Sequence, residues 1–151
     1  MVKVLMVCLG NICRSPLAEG ILKSKISSEQ VFVDSAGTAA YHIGNLPDYR
    51  SIDIAKKYGI DITDQRASAF SKNDFDAFDY IYVMDQFNYD TVINLARNQS
   101  DISKVNMILN ELQPDKNLEV PDPYYGGIEG FENVYQLLNS SCDCIVQKII
   151  N

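Results

Sequence analysis

Short apolar runs alternate along this chain with segments whose hydrophobic residues recur at helical spacing. The apolar runs are rich in β-branched and aromatic residues, which is typical of buried strands, and they cover residues 2–7, 30–36, 78–84 and 105–109. The helical pattern predicts helices over residues 17–25, 48–58, 86–97 and 131–150, and a short capped turn over residues 71–75. Strands that alternate with helices favour a parallel sheet covered on both faces. The chain is therefore predicted to be α/β, a three-layer fold with a four-stranded parallel sheet flanked by helices.

Local signals predict where several of these elements begin and end. We expect Ser15 to cap the first helix and Pro16 to occupy its first position. Gly59 is expected to end the second helix in a left-handed conformation. The polar residues 98–101 are expected to break the chain after the third helix.

The loop between the first strand and the first helix carries the most distinctive residues of the chain. At such a junction backbone N–H groups are unpaired and the helix dipole is positive, which favours a bound anion. Gly10 allows the backbone to turn tightly or to adopt a positive φ, and Asn11 tolerates a left-handed conformation and braces the loop through its side chain. The sequence therefore predicts a phosphate-binding loop after the first strand.

Cys8 and Arg14 give this loop its chemistry. A thiolate is stabilised near a helix N-terminus and an arginine, so Cys8 is predicted to be a nucleophile. The planar fork of Arg14 matches two oxygens of a phosphate. The Ser15 hydroxyl is placed to donate to the Cys8 sulfur. Together these residues predict phosphoryl transfer to sulfur; the alternative is a buried cysteine beside a solvated arginine.

Composition limits the other classes of function. The length of 151 residues predicts one domain, residues 1–151, and no apolar run is long enough to span a membrane. The start lacks a signal-peptide pattern, so we expect a cytoplasmic location without membrane association. A net charge of −7 argues against a nucleic-acid partner. The cysteines do not form a Cys-x2-Cys pair and the chain has one histidine, which argues against a metal site.

The run Cys-Leu-Gly-Asn-Ile-Cys-Arg-Ser-Pro at residues 8–16 resembles the signature of low-molecular-weight protein tyrosine phosphatases. The likeness continues through residues 34–38, 58–60, 82–85 and 121–125, and spans nearly the whole chain. The resemblance implies hydrolysis of protein phosphotyrosine through a phosphocysteine intermediate. It implies phosphotyrosine-containing proteins as partners, and neither a cofactor nor a metal.

The reaction also needs an acid, and the long connection over residues 110–130 offers one. The leaving oxygen of a phosphate monoester must receive a proton. Asp122 lies between Pro121 and Pro123, which stiffen the backbone, and it matches the general acid of the family in its Asp-Pro motif. We predict that Asp122 is the acid and then the base that activates water. The alternative is a simple Asp-Pro turn.

The expected substrate contacts come from the loop and from an aromatic rim. They are Leu9, Gly10, Asn11, Ile12, Cys13, Ser15, Tyr41, Tyr124 and Tyr125. The resemblance places Tyr41 at the rim; the alternative is an ordinary exposed tyrosine. Tyr124 and Tyr125 are expected to wall a deep pocket suited to a phosphotyrosine ring. The alternative is that both are surface aromatics on a loop. A tyrosine kinase that acts on Tyr124 or Tyr125 is a further candidate partner. His42 is expected to have a structural role in its loop.

Several supporting roles are expected around the loop. Many relatives carry a histidine that supports the loop asparagine, and Gln65 is the nearest candidate here. Glu19 and Asp85 are candidates to orient Arg14. We also expect a redox-sensitive cysteine, with a Cys8–Cys13 disulfide that forms under peroxide and protects Cys8.

Three rival functions are compatible with a loop of this kind. Arsenate reductases that resemble this family need further cysteines, but none lies between Cys13 and Cys142. Phosphoarginine phosphatases carry threonine where this chain has Ile12, whose apolar side chain suits an aromatic ring better than a guanidinium. A non-catalytic phosphotyrosine-binding module would lack Cys8, Arg14 or Asp122, and this chain has all of them.

Overall fold

The structure is a computed structural model that describes residues 1–125 and 127–150, with the backbone alone for Tyr125. The strands are β1 (Val2–Cys8), β2 (Val31–Gly37), β3 (Tyr80–Val83) and β4 (Val105–Met107). The helices are α1 (Arg14–Lys25), α2 (Tyr49–Lys57), α3 (Asp74–Ala77), α4 (Gln86–Asn94), α5 (Gln99–Ser103) and α6 (Gly127–Ile150). Short 3-10 turns cover Ile108–Glu111 and Pro123–Tyr125.

Within the described residues, the strands form one four-stranded parallel sheet in the order β2-β1-β3-β4. The central strand β1 pairs with β2 from Val2 to Cys8, and with β3 on its other edge. Successive strands therefore lie on opposite sides of β1, and in open α/β sheets ligands bind at such a reversal of strand order. The predicted fold class is confirmed.

The sheet is buried on both faces because successive residues of β1 point to opposite sides. Val4 and Met6 belong to the core that is shared with α1 and α6, whereas Leu5 and Val7 belong to a second core on the other side of the sheet. All four are at most 2% exposed. Full burial of each such side chain contributes about 1.5–3 kcal/mol, so both layers of helices stabilise the central strand.

The longest helix, α6, packs its apolar face against α1. Leu138, Cys142 and Ile145 on this helix are fully buried. Among the described residues, no helix combines the length and the apolar composition needed to cross a membrane.

Several element boundaries differ from the prediction. The expected strand over residues 105–109 ends at Met107, after which the chain enters a 3-10 turn. The expected break at residues 98–101 is instead the start of α5, because the Asn98 side chain accepts the backbone N–H of Asp101 as a cap. α6 begins at Gly127, before the predicted start at residue 131. The left-handed Gly59 after α2 is confirmed, with a φ of 78°.

The predicted start of α1 is wrong. The helix begins at Arg14, so Ser15 is its second residue and Pro16 its third. Cys13 occupies the cap position and makes no side-chain capping bond. Ser15 does not cap the helix because its hydroxyl is engaged by two tertiary partners, the Cys8 sulfur and the Asn11 amide.

Gly37 at the end of β2 should tolerate no side chain. A Cβ there would lie 2.8 Å from the carbonyl oxygen of Leu9 and 3.1 Å from the backbone nitrogen of Asn11. Gly37→Ala is expected to lower the free energy of unfolding by about 1–3 kcal/mol, as overpacking does, when measured by urea denaturation. In the control Gly130→Ala, the new Cβ would approach Pro123 no closer than 3.7 Å in α6, so stability should not fall. Equal stability of the two variants would contradict the proposed crowding.

Candidate active site

The loop after β1 is fixed from outside through its carbonyl groups. We call residues 8–14 the phosphate loop. Its carbonyls at Cys8 and Leu9 accept the N–H groups of Thr38 and Ala39, each at 2.9 Å. The carbonyl of Ile12 accepts the N–H of Asp48 at 2.7 Å. These bonds tie the loop to the chain that follows β2 and to the start of α2.

Asn11 provides the left-handed turn of the phosphate loop, with a φ of 57°. Its amide nitrogen donates to the hydroxyls of Ser15 at 2.8 Å and Ser35 at 2.9 Å, and its oxygen accepts the N–H of Ser68 at 2.9 Å. The expected positive φ therefore falls on Asn11. Gly10 has a different role, since a Cβ there would lie 3.0 Å from the His42 ring.

Gln65, the nearest candidate to support Asn11, does not bond to it. Gln65 donates instead to the carbonyl of Pro16 at 3.0 Å. Ser15 and Ser35 accept the protons of the Asn11 amide nitrogen instead. Serine hydroxyls from α1 and β2 thus brace the asparagine. No sequence pattern marks these two serines as its partners.

Glu19 sets the direction of this hydrogen-bond chain. Its carboxylate accepts the Ser35 hydroxyl at 2.6 Å and Lys23 at 2.5 Å. Because the single proton of Ser35 goes to Glu19, the Ser35 oxygen must accept from Asn11. The Ser15 oxygen also accepts from Asn11, so its own proton is left for the Cys8 sulfur at 3.0 Å.

Glu19 is 3% exposed, and this burial raises the pKa of its carboxyl, while hydrogen bonds from Lys23 and Ser35 oppose the shift. Glu19 was expected to orient Arg14. The structure instead places it at the far end of the serine chain, where it bonds to Ser35 and Lys23.

Arg14 is held by Asp85, the second of the two carboxylates expected to orient it. Its Nη1 donates to the Asp85 carboxylate at 2.8 Å and to the Val120 carbonyl at 2.9 Å. Asp85 also caps α4 by accepting the N–H of Asn88 at 2.8 Å. Nη1 thus uses both of its protons, and Nε and Nη2 of Arg14 donate to no other described residue. The Val120 contact could not be predicted, because a backbone carbonyl has no side-chain signature.

The phosphate loop and the segment around Asp122 enclose one cavity of about 270 Å³. It is lined by Cys8, Leu9, Gly10, Ile12, Cys13, Arg14, Tyr41, His42, Asp122 and Tyr124. Cys8 and Arg14 are each 3% exposed, whereas the Tyr41 side chain is 79% exposed at the rim. The three predicted catalytic residues therefore meet in one cavity.

The remaining predicted contacts occupy different positions. Asn11 and Ser15 are 2% and 0% exposed, so they lie beneath the cavity surface. The Tyr125 side chain lies outside the described residues. His42, expected in a structural role, packs against Gly10 and also lines the cavity.

Cys13 differs from Cys8 in its electrostatic setting. Burial raises the pKa of Cys13 to about 12, and the nearby Asp48, Cys8 and Asp122 add to the shift. Its thiol is therefore neutral at pH 7. Burial also raises the pKa of Cys142 to about 12, and that thiol packs against the Ala18 carbonyl at 3.9 Å. Cys142 thus lies between α6 and α1 rather than at the cavity.

Comparisons with known proteins agree with this geometry. The family model for low molecular weight phosphotyrosine protein phosphatase matches residues 3–151. A low molecular weight phosphotyrosine protein phosphatase from Homo sapiens is 41% identical, over 96% of this chain and 94% of the human protein. A crystal structure of protein tyrosine phosphatase from Entamoeba histolytica is 36% identical, with a TM-score of 0.92, and covers 99% of this chain and 97% of that chain. The structure of a Drosophila arginine phosphatase is 32% identical, with a TM-score of 0.89, over 97% of both chains.

Removal of the Ser35 hydroxyl should disturb the nucleophile although Ser35 does not contact it. Ser35→Ala leaves one oxygen of the buried Glu19 carboxylate and one proton of the Asn11 amide without a partner, which costs about 1–3 kcal/mol per group. We expect lower stability together with slower alkylation of Cys8 by iodoacetate at a fixed pH. The control Ser103→Ala removes an exposed hydroxyl that bonds only to the Ser100 carbonyl, and it should change neither quantity. An unchanged rate of Cys8 alkylation in Ser35→Ala would contradict the hydrogen-bond chain.

Proposed function

We propose that Cys8 is the nucleophile of this chain, which belongs to the low molecular weight phosphotyrosine protein phosphatase family. The chain is a protein tyrosine phosphatase that works through a phosphocysteine intermediate. We propose in addition that Arg14 binds the phosphate and that Asp122 is the general acid. The observation that carries these assignments is the shared cavity: Asp122 is distant in sequence from Cys8 and Arg14, yet all three side chains line one space.

In the first step the Cys8 thiolate attacks phosphorus. The sulfur–phosphorus bond forms while the bond from phosphorus to the tyrosine oxygen breaks. Asp122 gives its proton to that oxygen, so tyrosine leaves as a neutral phenol. The Nε and Nη2 protons of Arg14 bind two phosphoryl oxygens, together with N–H groups of the phosphate loop, and stabilise the charge in the transition state.

In the second step water hydrolyses the phosphocysteine. The Asp122 carboxylate takes a proton from the water as its oxygen attacks phosphorus. The sulfur–phosphorus bond breaks, and inorganic phosphate and the Cys8 thiolate are released. The Ser15 hydroxyl, which lies 3.0 Å from the sulfur, stabilises the departing thiolate by a hydrogen bond.

The cavity lining supports a phenyl ring as the preferred leaving group. Ile12 supplies an apolar side chain, and Tyr41 and Tyr124 supply aromatic ones. The short phosphoserine side chain would not reach the sulfur past this rim. Tyr125 is proposed as a further wall.

Location and regulation are proposals of the same kind. A nucleophilic thiolate works only in its reduced form, which supports a cytoplasmic location. The net charge of −7 supports the absence of a nucleic-acid partner. Tyr124 is 42% exposed, which supports its use by a tyrosine kinase, with Tyr125 as the neighbouring candidate.

A panel of phosphorylated substrates tests the function and the assignments together. With a chelator present, the enzyme should hydrolyse phosphotyrosine peptides much faster than phosphoserine or phosphoarginine peptides, and it should not reduce arsenate.

Cys8→Ser should abolish turnover because the hydroxyl is a far weaker nucleophile. Asp122→Ala should slow hydrolysis of phenyl phosphate by about 10²–10⁴-fold and leave phosphate binding intact, because it removes the group that transfers protons and none of the proposed phosphate ligands.

Different failures in this panel have different meanings. Faster hydrolysis of phosphoarginine would refute the preference for phosphotyrosine. Full activity of Cys8→Ser, or loss of phosphate binding in Asp122→Ala, would refute the corresponding role.

Cys8 and Cys13 support a proposal of redox protection, since both thiols line the cavity and are free. Hydrogen peroxide oxidises the Cys8 thiolate to a sulfenic acid and is itself reduced to water. The Cys13 sulfur then attacks the sulfenic sulfur, water leaves, and a disulfide forms. External thiols reduce this disulfide and restore the enzyme.

Peroxide treatment followed by a thiol tests that protection. The parent enzyme should recover most of its activity, whereas Cys13→Ser should recover little, because its sulfenic acid is oxidised further. Since the pKa of Cys13 is about 12, its thiolate fraction rises about tenfold per pH unit between pH 7 and 9, and protection should improve over that range. Equal recovery of Cys13→Ser and the parent enzyme would end the proposal. Cys144→Ser, outside the cavity, is the matched control.

A further inference from the structure

The first turn of α2 is attached to the phosphate loop. The N–H of Asp48 donates to the carbonyl of Ile12 at 2.7 Å. The hydroxyl of Ser51 donates to the carbonyl of Cys13 at 3.2 Å and is fully buried. The start of α2 therefore has a fixed position relative to the residues that surround the nucleophile.

Arg50, in the same turn, reaches the loop that carries Asp122. We call residues 120–125 the acid loop. The Arg50 guanidinium forks onto Asp48, with Nε 3.0 Å from Oδ1 and Nη2 3.1 Å from Oδ2. Its Nη1 donates to the carbonyl of Tyr124 at 2.9 Å. The guanidinium carbon also lies 5.1 Å from the centre of the Tyr124 ring and 4.8 Å from that of Phe131 in α6.

The contact at Tyr124 leads directly to the acid. The N–H of Tyr124 donates to Asp122 Oδ1 at 3.0 Å. A continuous path therefore joins the phosphate loop to Asp122 through the Asp48 N–H, the Asp48 carboxylate, the Arg50 guanidinium and the Tyr124 peptide. Hydrogen bonds to Asp48 raise the pKa of Arg50 further above its usual value, so this link keeps its charge at any pH at which the enzyme works.

We propose that Arg50 is a positioning residue for the general acid, which joins the acid loop to the phosphate loop and thereby holds Asp122 in the cavity that Cys8 lines. This inference rests on the proposed role of Asp122. The planar fork is essential, because one guanidinium binds the Asp48 carboxylate with two nitrogens and the Tyr124 carbonyl with the third. A lysine ammonium cannot reproduce this geometry.

Two substrates that differ in their need for an acid separate positioning from binding. Phenyl phosphate releases a basic phenolate that needs a proton, whereas 2,4-dinitrophenyl phosphate releases a stable phenolate that does not. Arg50→Met should lower kcat/KM for phenyl phosphate by about 10- to 100-fold, as misplacement by about 1 Å does, and for the dinitrophenyl ester by less than about threefold. Arg50→Lys should lower kcat/KM for phenyl phosphate by nearly as much. Inhibition by inorganic phosphate should not change.

Arg66→Met is the matched control. Arg66 is an exposed arginine that donates to the carbonyls of Thr63 and Gln65 and belongs to neither loop. The Arg66→Met variant should hydrolyse both substrates at the rates of the parent enzyme. Equal losses on the two substrates in Arg50→Met would overturn the inference, because they would indicate a general structural defect.

A double-mutant cycle adds an independent criterion. In an Asp122→Asn background there is no acid to position, so Arg50→Met should cause no further loss on phenyl phosphate. A full additional loss would overturn the inference. If Asp122→Asn alone reacts like the parent enzyme, the assignment of the acid fails, and that result is recognisable without any Arg50 variant.

Hydrogen exchange tests the tether without reference to activity. The amides of residues 122, 124 and 125 should exchange at least about tenfold faster in Arg50→Met than in the parent enzyme, because this end of the loop has lost its anchor. The exchange rates of the β1 amides should not change. Unchanged exchange in the acid loop would overturn the inference even if activity falls.

Discussion

The left-handed turn at Asn11 is the constraint on which the active site depends. A residue other than glycine in this conformation costs about 1–2 kcal/mol, which asparagine tolerates better than most. Three hydrogen bonds from its own side chain oppose that cost, and each contributes about 0.5–1.5 kcal/mol. Their partners, Ser15, Ser35 and Ser68, lie in three different segments of the chain. The turn is therefore maintained by the tertiary fold, and the same bonds direct the Ser15 proton to the Cys8 sulfur.

The order of the strands brings the other groups to this turn. Because β1 lies between β2 and β3, the carboxyl ends of all three open onto one edge of the sheet. Cys8 ends β1, and Asp85 follows β3 and binds Arg14. The Val120 carbonyl shares the same nitrogen of Arg14, so the arginine also fixes the beginning of the acid loop. One buried guanidinium thus connects the first helix, the end of β3 and the loop that carries the acid.

Two arginines contribute to the site in different ways. Arg14 is buried and presents the free edge of its fork to the cavity, in a protein whose net charge is −7. A local positive site is therefore compatible with an acidic surface, since burial reduces screening by solvent and salt. Arg50 lies outside the cavity and uses its whole fork on Asp48 and Tyr124. In the acid loop, the hydrogen-bond acceptors of the two arginines are both backbone carbonyls, Val120 for Arg14 and Tyr124 for Arg50.

The sequence by itself determined the layered fold, the phosphate loop and the identity of Cys8, Arg14 and Asp122 as candidates, because hydrophobic periodicity and local motifs depend on neighbours in the chain. Asp85 was also recognised beside Arg14. Sequence reasoning failed where a polar side chain chooses between local and distant partners: Ser15 leaves the helix cap for Cys8, and Gln65 bonds to a carbonyl of α1 rather than to Asn11. Only the tertiary structure decided these partners, because each contact closes a loop of the chain and depends on how the helices pack on the sheet.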